Sequence, residues 1–209
     1  MRFAYAIASL HVQIAVGISS LPLLNGIIYL QVVAIIMTQE LIDLRKSIME
    51  GRYTDALVIV DELEGMSKQA ILRNIQSYLR ILLIHLIKNQ VEQRLTSSWA
   101  ASIRNPLVEI KKLNLKENKT SHHINSDEWY TWLEEEIESA IRDASSEVLD
   151  GIYNEFQLTE IVDRTQVIQN ADKLLTLTYY HSAKDLPAVV AENLTQLPGG
   201  EDWKLNRQK

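Results

Sequence analysis

From residue 41 onward the apolar residues recur every three or four positions, the period of a helix with one buried side. Leu41, Leu44 and Ile48 mark one face of a first helix, and Gly51 is placed to end it. Thr54 and Asp55 can cap a second helix, with Ala56, Leu57, Val60 and Leu63 inside and Gly65 at its end. The short connection predicts that the two helices lie antiparallel.

Ser67 opens the most informative stretch. Lys68 to Leu95 holds no Gly or Pro, and Ile71, Ile75, Tyr78, Leu82 and Leu86 recur at helical spacing. Ile81, Leu83, Ile84 and Ile87 fill the other sides. A helix apolar nearly all round belongs in the middle of its domain. The pattern therefore predicts a long buried central helix over about residues 67–95. Arg73, Arg80, Lys88, Gln90 and Arg94 must find water or partners where it emerges.

Trp99, Ile103, Leu107, Ile110 and Leu113 continue the helical pattern, with Pro106 either kinking the element or starting a new one. Residues 114–125 are polar and read as the main loop. Ser126, Asp127 and Glu128 are a helix start, because acids favour the first turn. Trp129, Leu133, Ile137, Ala140, Ala144 and Val148 then form a stripe closed by Gly151. Val167 to Tyr180 and Leu186 to Leu197 read as further helices, although Thr and Tyr in 174–180 also suit a strand. Pro198, Gly199 and Gly200 read as the end of the fold. The expected fold is mainly α: a compact multi-helix bundle around a long buried central helix, with an apolar N-terminal appendage. Residues 1–36 form the appendage, 37–197 a single helical domain and 198–209 a tail.

The appendage is a separate problem. No charge occurs from Phe3 to Gln39, and the stretch is long enough for a membrane helix, which needs about 20 apolar residues. Gly17, Pro22 and Gly26 interrupt it. A secretory signal fits poorly, since Arg2 is a thin positive region and no small-x-small site follows. The favoured reading is an upstream extension, with Met37 as a natural start before Thr38, Gln39 and Glu40; a membrane anchor at residues 3–36 is next. The expected location is cytoplasmic, or membrane-associated if residues 3–36 anchor the chain.

Composition changes the picture in two places. The chain has no cysteine, which removes disulfides, thiol nucleophiles and thiolate zinc sites. Its net charge of −6 hides an asymmetry: residues 68–119 hold ten Lys/Arg against three Asp/Glu, and residues 120–202 hold four against seventeen. A basic middle and an acidic C-terminal half can pair within one fold or offer charged surfaces to partners.

Several residues could carry chemistry. Arg80 and His85 stand as Arg-x4-His, a spacing that resembles the active-site motif of the helical nucleotide-binding ribonucleases of higher eukaryotes and prokaryotes. In such a site an Arg steadies phosphate charge while a His moves a proton. A lone core histidine is the commoner meaning of His85. Trp99, Trp129 and Trp132, beside Arg94 and Arg104, could stack bases; aromatics at helical spacing are more often core anchors. His122 and His123 read as a solvated loop, and Glu134, Glu135, Glu136 and Glu138 as a solvated face. No metal set and no cofactor motif is expected.

Three pieces of the chain carry a family resemblance. Asp61 to Lys68 (Asp-Glu-Leu-Glu-Gly-Met-Ser-Lys) resembles the acidic helix end of a bacterial family, domain of unknown function 29. Leu82 to Lys88 (Leu-Leu-Ile-His-Leu-Ile-Lys) is similar to its Leu-Leu-x-His-Leu-Leu-Lys core. Ser98-Trp99-Ala100-Ala101-Ser102-Ile103 is similar to its Ser-Trp-x-x-Thr-Ile motif, with Ser102 for Thr. The resemblance spans about residues 38–180 and implies a compact helical domain; it brings no activity or catalytic residue. The chain before Met37 and the segment after Gly151 depart from the family pattern. Separately, Gly51, Tyr53, Ala56 and Leu57 resemble the turn of a tetratricopeptide hairpin, but no second copy follows at a period of about 34 residues. The expected function is a non-catalytic protein-interaction or regulatory module with an unknown protein partner. The alternatives are an RNA-binding protein or ribonuclease using Arg80 and His85, and a membrane-tethered helical protein.

Overall fold

The computed structural model describes residues 38–206, which divide into two compact units at Ser67/Lys68. The expected appendage and the Met37 start lie outside the described residues. Among the described residues the fold is helical, apart from a single antiparallel bridge between Leu115 and His122.

The described residues of the first unit form a helical hairpin. Helix α1 covers residues 38–49, and α2 (Tyr53–Glu92) begins after a tight turn. Gly51 ends α1 as expected, with φ of +72°. Its amide donates to Ile48 O at 3.1 Å and the Arg52 amide to Ser47 O at 2.8 Å, the two bonds of a Schellman cap. A side chain at such a φ would be strained, so glycine is the fitting residue. Among the described residues of this unit, only the small residues Ser47 and Ala56 are buried. One groove between the helices is lined by Asp43, Lys46 and Ser47 of α1 and by Asp55, Val58 and Ile59 of α2, so the two run side by side. Glu40 also feels the charge of Glu62, which matches the antiparallel order.

Gly65 does not end the second helix. α2 runs unbroken for 40 residues, straight through Gly65. A glycine inside a helix costs about 1 kcal/mol relative to alanine, and the helix formers around it (Glu62, Leu63, Glu64, Met66) outweigh that cost.

In the second unit the C-terminal half of α2 is the central helix. Ile75, Leu79, Leu82, Leu83 and Ile87 are fully buried, and from Leu82 to Asn89 every residue except His85 is buried. Ile81, expected inside, is 40% exposed. α2 is the one helix among the described residues long and apolar enough to cross a membrane; the same length and composition serve a core helix. Around it lie α3 (Ser97–Asn114), α4 (Trp129–Ser145), α5 (Glu155–Ile161), α6 (Arg164–Tyr180) and α7 (Leu186–Leu194). α3 packs on α6 and α7, and α4 on α5 and α6.

Local chemistry sets the helix ends. Thr96 caps α3 through its hydroxyl, which accepts from the Trp99 amide. Pro106 sits inside α3 without breaking it. Asn154 and Gln157 form a reciprocal capping box on α5. Asp163 caps α6, and the Gln90 side chain makes two 3.0 Å bonds to the Asp163 backbone, tying α2 to the α6 start. Residues 174–180 are helical, with Leu174, Leu175 and Thr178 buried on one side.

The Pro198-Gly199-Gly200 segment does not stop the fold. It packs onto the α2–α3 corner and leads into α8 (Gly200–Lys204). The Asn89 amide donates to both Arg94 O and Pro198 O at 2.8 Å. A Cβ on Gly199 would meet Arg94 Cα at 2.7 Å, so the residue must lack one. Trp99 and Trp129 are buried, as core anchors would be.

Candidate functional site

The residues singled out for chemistry gather along α2 of the second unit, but not in the expected pairs. Arg80 and His85 are five positions apart, about 140° round the helix, and do not converge. The Arg80 guanidinium donates to Glu136 of α4, and its second nitrogen lies 3.6 Å from Asp143. Glu136 is buried, against the expectation of a solvated face, and also accepts from the Gln76 amide at 2.7 Å. Of its neighbours, Glu138 pairs with Arg164 of α6.

His85 is half-buried, and its Nδ1 lies 2.9 Å from Ile81 O one turn back, the geometry of an N–H donor to that carbonyl. Burial holds its pKa below the ordinary histidine value; the Ile81 bond opposes this, Lys88 adds to it and Glu147 opposes it. A neutral imidazole with one nitrogen engaged is a satisfied core histidine.

One turn further on, the chain builds a cleft. Gln93 has φ of +51°, which ends α2 and turns the chain into α3. The corner sets the Arg94 guanidinium 4.9 Å from the centre of the Trp99 ring, and the Lys88 ammonium 5.0 Å from it. Both distances suit cation–π attraction. Lys88, itself buried, donates to Glu147 at 2.8 Å. Glu92 is the organising carboxylate: its side chain is 3% exposed and accepts from Arg94 at 2.9 and 2.7 Å. Its other oxygen accepts from the Leu149 amide at 3.0 Å.

That amide opens a left-handed turn. Leu149, Asp150 and Gly151 have φ of +47°, +57° and +79°. Left-handed backbone costs a non-glycine residue about 1–2 kcal/mol, so the Glu92 bond helps to hold Leu149 there. The resulting cleft, of about 350 Å³, is lined by Lys88, Glu92, Arg94, Trp99, Glu147, Leu149, Asp150 and Ile152.

Of the base-stacking candidates, Arg94 and Trp99 meet here. Arg104 lies on α3 five residues beyond Trp99 and is not among the lining residues. Lys88 and Trp99 belong to two of the three pieces that carry the family resemblance. Glu92 and Glu147 escaped the sequence reading. Glu92 had a signal, being one of three acids in a 52-residue basic stretch.

His122 and His123 do not form a solvated loop. His122 joins the bridge to Leu115 and lies 4.7 Å from the Tyr179 ring, and both histidines are half-buried. The Tyr179 hydroxyl accepts from Trp129 Nε1 at 2.7 Å and Asn114 Nδ2 at 3.0 Å, and donates to Ile124 O at 2.8 Å. Burial pushes its pKa up to about 12. Among the described residues no group of three or more His, Asp or Glu is placed to hold a metal ion.

Fold and site together define a helical domain knitted by internal ion pairs around an indole-walled cleft. The sequence model described as "Domain of unknown function DUF29" matches residues 39–170, and the chain belongs to that family. The match continues well past Gly151, so the departure expected there lies inside the family region. No curated protein and no solved structure matches the chain.

Proposed function

We propose that the protein is a non-catalytic interaction module that binds another protein through its helical hairpin. The open apolar face of that hairpin carries the reading. Leu41 and Ile48 on one stripe of α1, and Tyr53 and Leu57 on one stripe of α2, are each more than half exposed. Contiguous apolar surface of this kind marks an interaction site far more often than scattered single residues do. Covering what remains exposed of each such side chain is worth roughly 1 kcal/mol before the costs of association.

The polar side chains support the same reading. Arg80, Lys88 and Arg94 each hold a carboxylate of their own chain, and His85 is engaged with its own helix. A nuclease site would need Arg80 turned towards phosphate.

The test is capture by the full chain from native cell extract, run beside the Leu41→Ser/Leu57→Ser variant. Both positions are exposed, so the variant keeps its helical circular dichroism. A protein retained in stoichiometric amount by the native chain and lost by the variant is the expected result. Equal retention by both chains, or recovery of nucleic acid alone, would sink the proposal.

A further inference from the structure

Many cations of the second unit are engaged inside the fold. Arg80, Lys88, Arg94, Arg142 and Arg164 each pair with a carboxylate, and Lys111 donates to Thr178 O. Lys68 and Lys116 differ: among the described residues neither ammonium has a partner. Both lie near His123.

The loop between α3 and α4 sets part of this geometry. The Leu115–His122 bridge is flanked by the Lys116 amide donating to Ser121 O at 2.9 Å and the His123 amide donating to Asn114 O at 2.8 Å. Side chains alternate along such strands, so Leu115 and His122 share one face, and Lys116, Ser121 and His123 share the other. His122 lies against the Tyr179 ring. On the opposite face Lys116 and His123 are diagonal neighbours, a spacing that a long side chain spans. The Ser121 hydroxyl is already engaged with Asn118. Lys68, exposed on α2, supplies a second ammonium: the charges that bear on the His123 ring are those of Lys116 and Lys68, and no carboxylate is among them.

The His123 ring itself has one closed edge and one open edge. Its Nδ1 is buried without a hydrogen-bond partner. A buried N–H without an acceptor is less tolerable than a lone pair without a donor, so the proton belongs on Nε2. Nε2 is neither buried nor bonded, which leaves an N–H donor facing solvent beside the two ammoniums. Burial, then the charges of Lys116 and Lys68, hold the ring's pKa below the ordinary histidine value and keep it neutral.

We propose that Lys68, Lys116 and the Nε2–H of His123 form a binding site for a phosphate-class oxyanion, free or as the end group of a small phosphorylated molecule. Two ammoniums match the charge of a phosphate monoester, about −1.5 to −2 at neutral pH, and its three terminal oxygens offer an acceptor to each donor. A carboxylate has half that charge and two oxygens. The site does not depend on the hairpin reading and lies within the second unit.

The test is a titration of the full chain, its histidine rings labelled with nitrogen-15, with inorganic phosphate and, at matched ionic strength, with acetate. The expected result is a saturable shift of the His123 Nε2 signal by phosphate in the millimolar range, with acetate binding about tenfold more weakly. The His122 signal should stay still. Lys68→Met/Lys116→Met should abolish the saturable shift and keep the helical circular dichroism, because neither ammonium holds a partner in the fold. In calorimetry His123→Gln, which retains an N–H donor, should bind phosphate within a few-fold of native, and His123→Leu about tenfold more weakly. Glycerol phosphate binding more tightly than inorganic phosphate would place the anion on a larger molecule, and the reverse order would make it free phosphate; both support the site. No saturable shift, an equal response to acetate, or a response unchanged in the double Met variant overturns it. So does a single-stranded RNA that moves the same signal with an affinity rising with its length, since the lysines would then be part of a nucleic-acid track.

Discussion

Replacing Arg80 by alanine strands a carboxylate that has little other compensation. The Glu136 side chain is 3% exposed and that of Arg80 40%. Removing one partner of a fully buried ion pair costs about 3–5 kcal/mol. Two features lower the figure here. Water screens the half-exposed guanidinium, so part of the attraction is already lost. Glu136 also keeps the Gln76 amide at 2.7 Å. The expected loss is about 2–3 kcal/mol, which at a urea slope near 2 kcal/mol/M moves the unfolding midpoint down by about 1 M.

Glu136→Leu in the Arg80→Ala background should recover part of the loss, because it removes the stranded charge. The assay is urea unfolding followed by circular dichroism. An Arg80→Ala protein within about 0.5 kcal/mol of native would refute the reasoning. If that protein were fully stable but had lost an RNA-cleaving activity, Arg80 would be a chemical group and not a structural one.

Two further outcomes follow from the interior. Tyr179→Phe removes the acceptor of the fully buried Trp129 N–H and a bond to Ile124 O, and should cost about 2 kcal/mol, or roughly 4–8 °C of melting temperature; a change under 1 °C would mean that the hydroxyl is not holding the 114–124 loop. Burial lowers the pKa of His85, His122 and His123, so the unfolded chain binds protons more readily than the folded one, and stability should fall as pH drops through the unfolded histidine value of about 6.5. His85→Gln should flatten part of that slope in thermal melts from about pH 7.5 to 5.5; an identical slope in the variant would count against a buried, neutral His85. Glu40 and Asp172 act with the opposite sign at lower pH, since burial raises both.

How much of this was legible depended on the kind of signal. Period carried the helices well, because burial follows side-chain direction: Ile75, Leu82 and Leu86 recur at helical spacing and are buried, and the apolar residues on the other sides marked the centre of the bundle. Punctuation was weaker. Gly51 ended a helix, where the left-handed bend gives glycine an advantage, but Gly65 did not, because a single glycine costs less than the surrounding helix gains. Pro198, Gly199 and Gly200 look like a stop in sequence, yet the glycines are there for close approach to Arg94 and to the Leu194 and Thr195 carbonyls. Pairing was hardly legible. Glu136 ends a run of three glutamates, and its position opposite Gln76 and Arg80, some sixty residues away in sequence, buries it. The Lys88–Glu147 and Glu92–Leu149 links that build the cleft are equally long-range.

The family match ends at residue 170, inside α6, which runs to Tyr180. The core does not end there. Leu174 and Leu175 of α6, and Leu186, Val190 and Leu194 of α7, are buried with the central helix in one continuous apolar cluster. A chain cut at residue 170 would expose the side of α3 that packs against α7 and lose the second half of the α6 contact with α4. Five buried aliphatic side chains, at about 1.5–3 kcal/mol each, amount to roughly 10 kcal/mol, comparable with the whole stability of an ordinary domain. In this chain the family segment therefore holds the hairpin and the cleft, but the residues that close the core lie beyond it. The hairpin face draws on none of those later residues. Substitutions in α7 should consequently weaken folding of the second unit without altering the charge or the apolar stripes of residues 38–67. A loss of partner binding that tracks Leu57→Ser but not Val190→Ala, measured at a temperature where both proteins are folded, would separate recognition from stability.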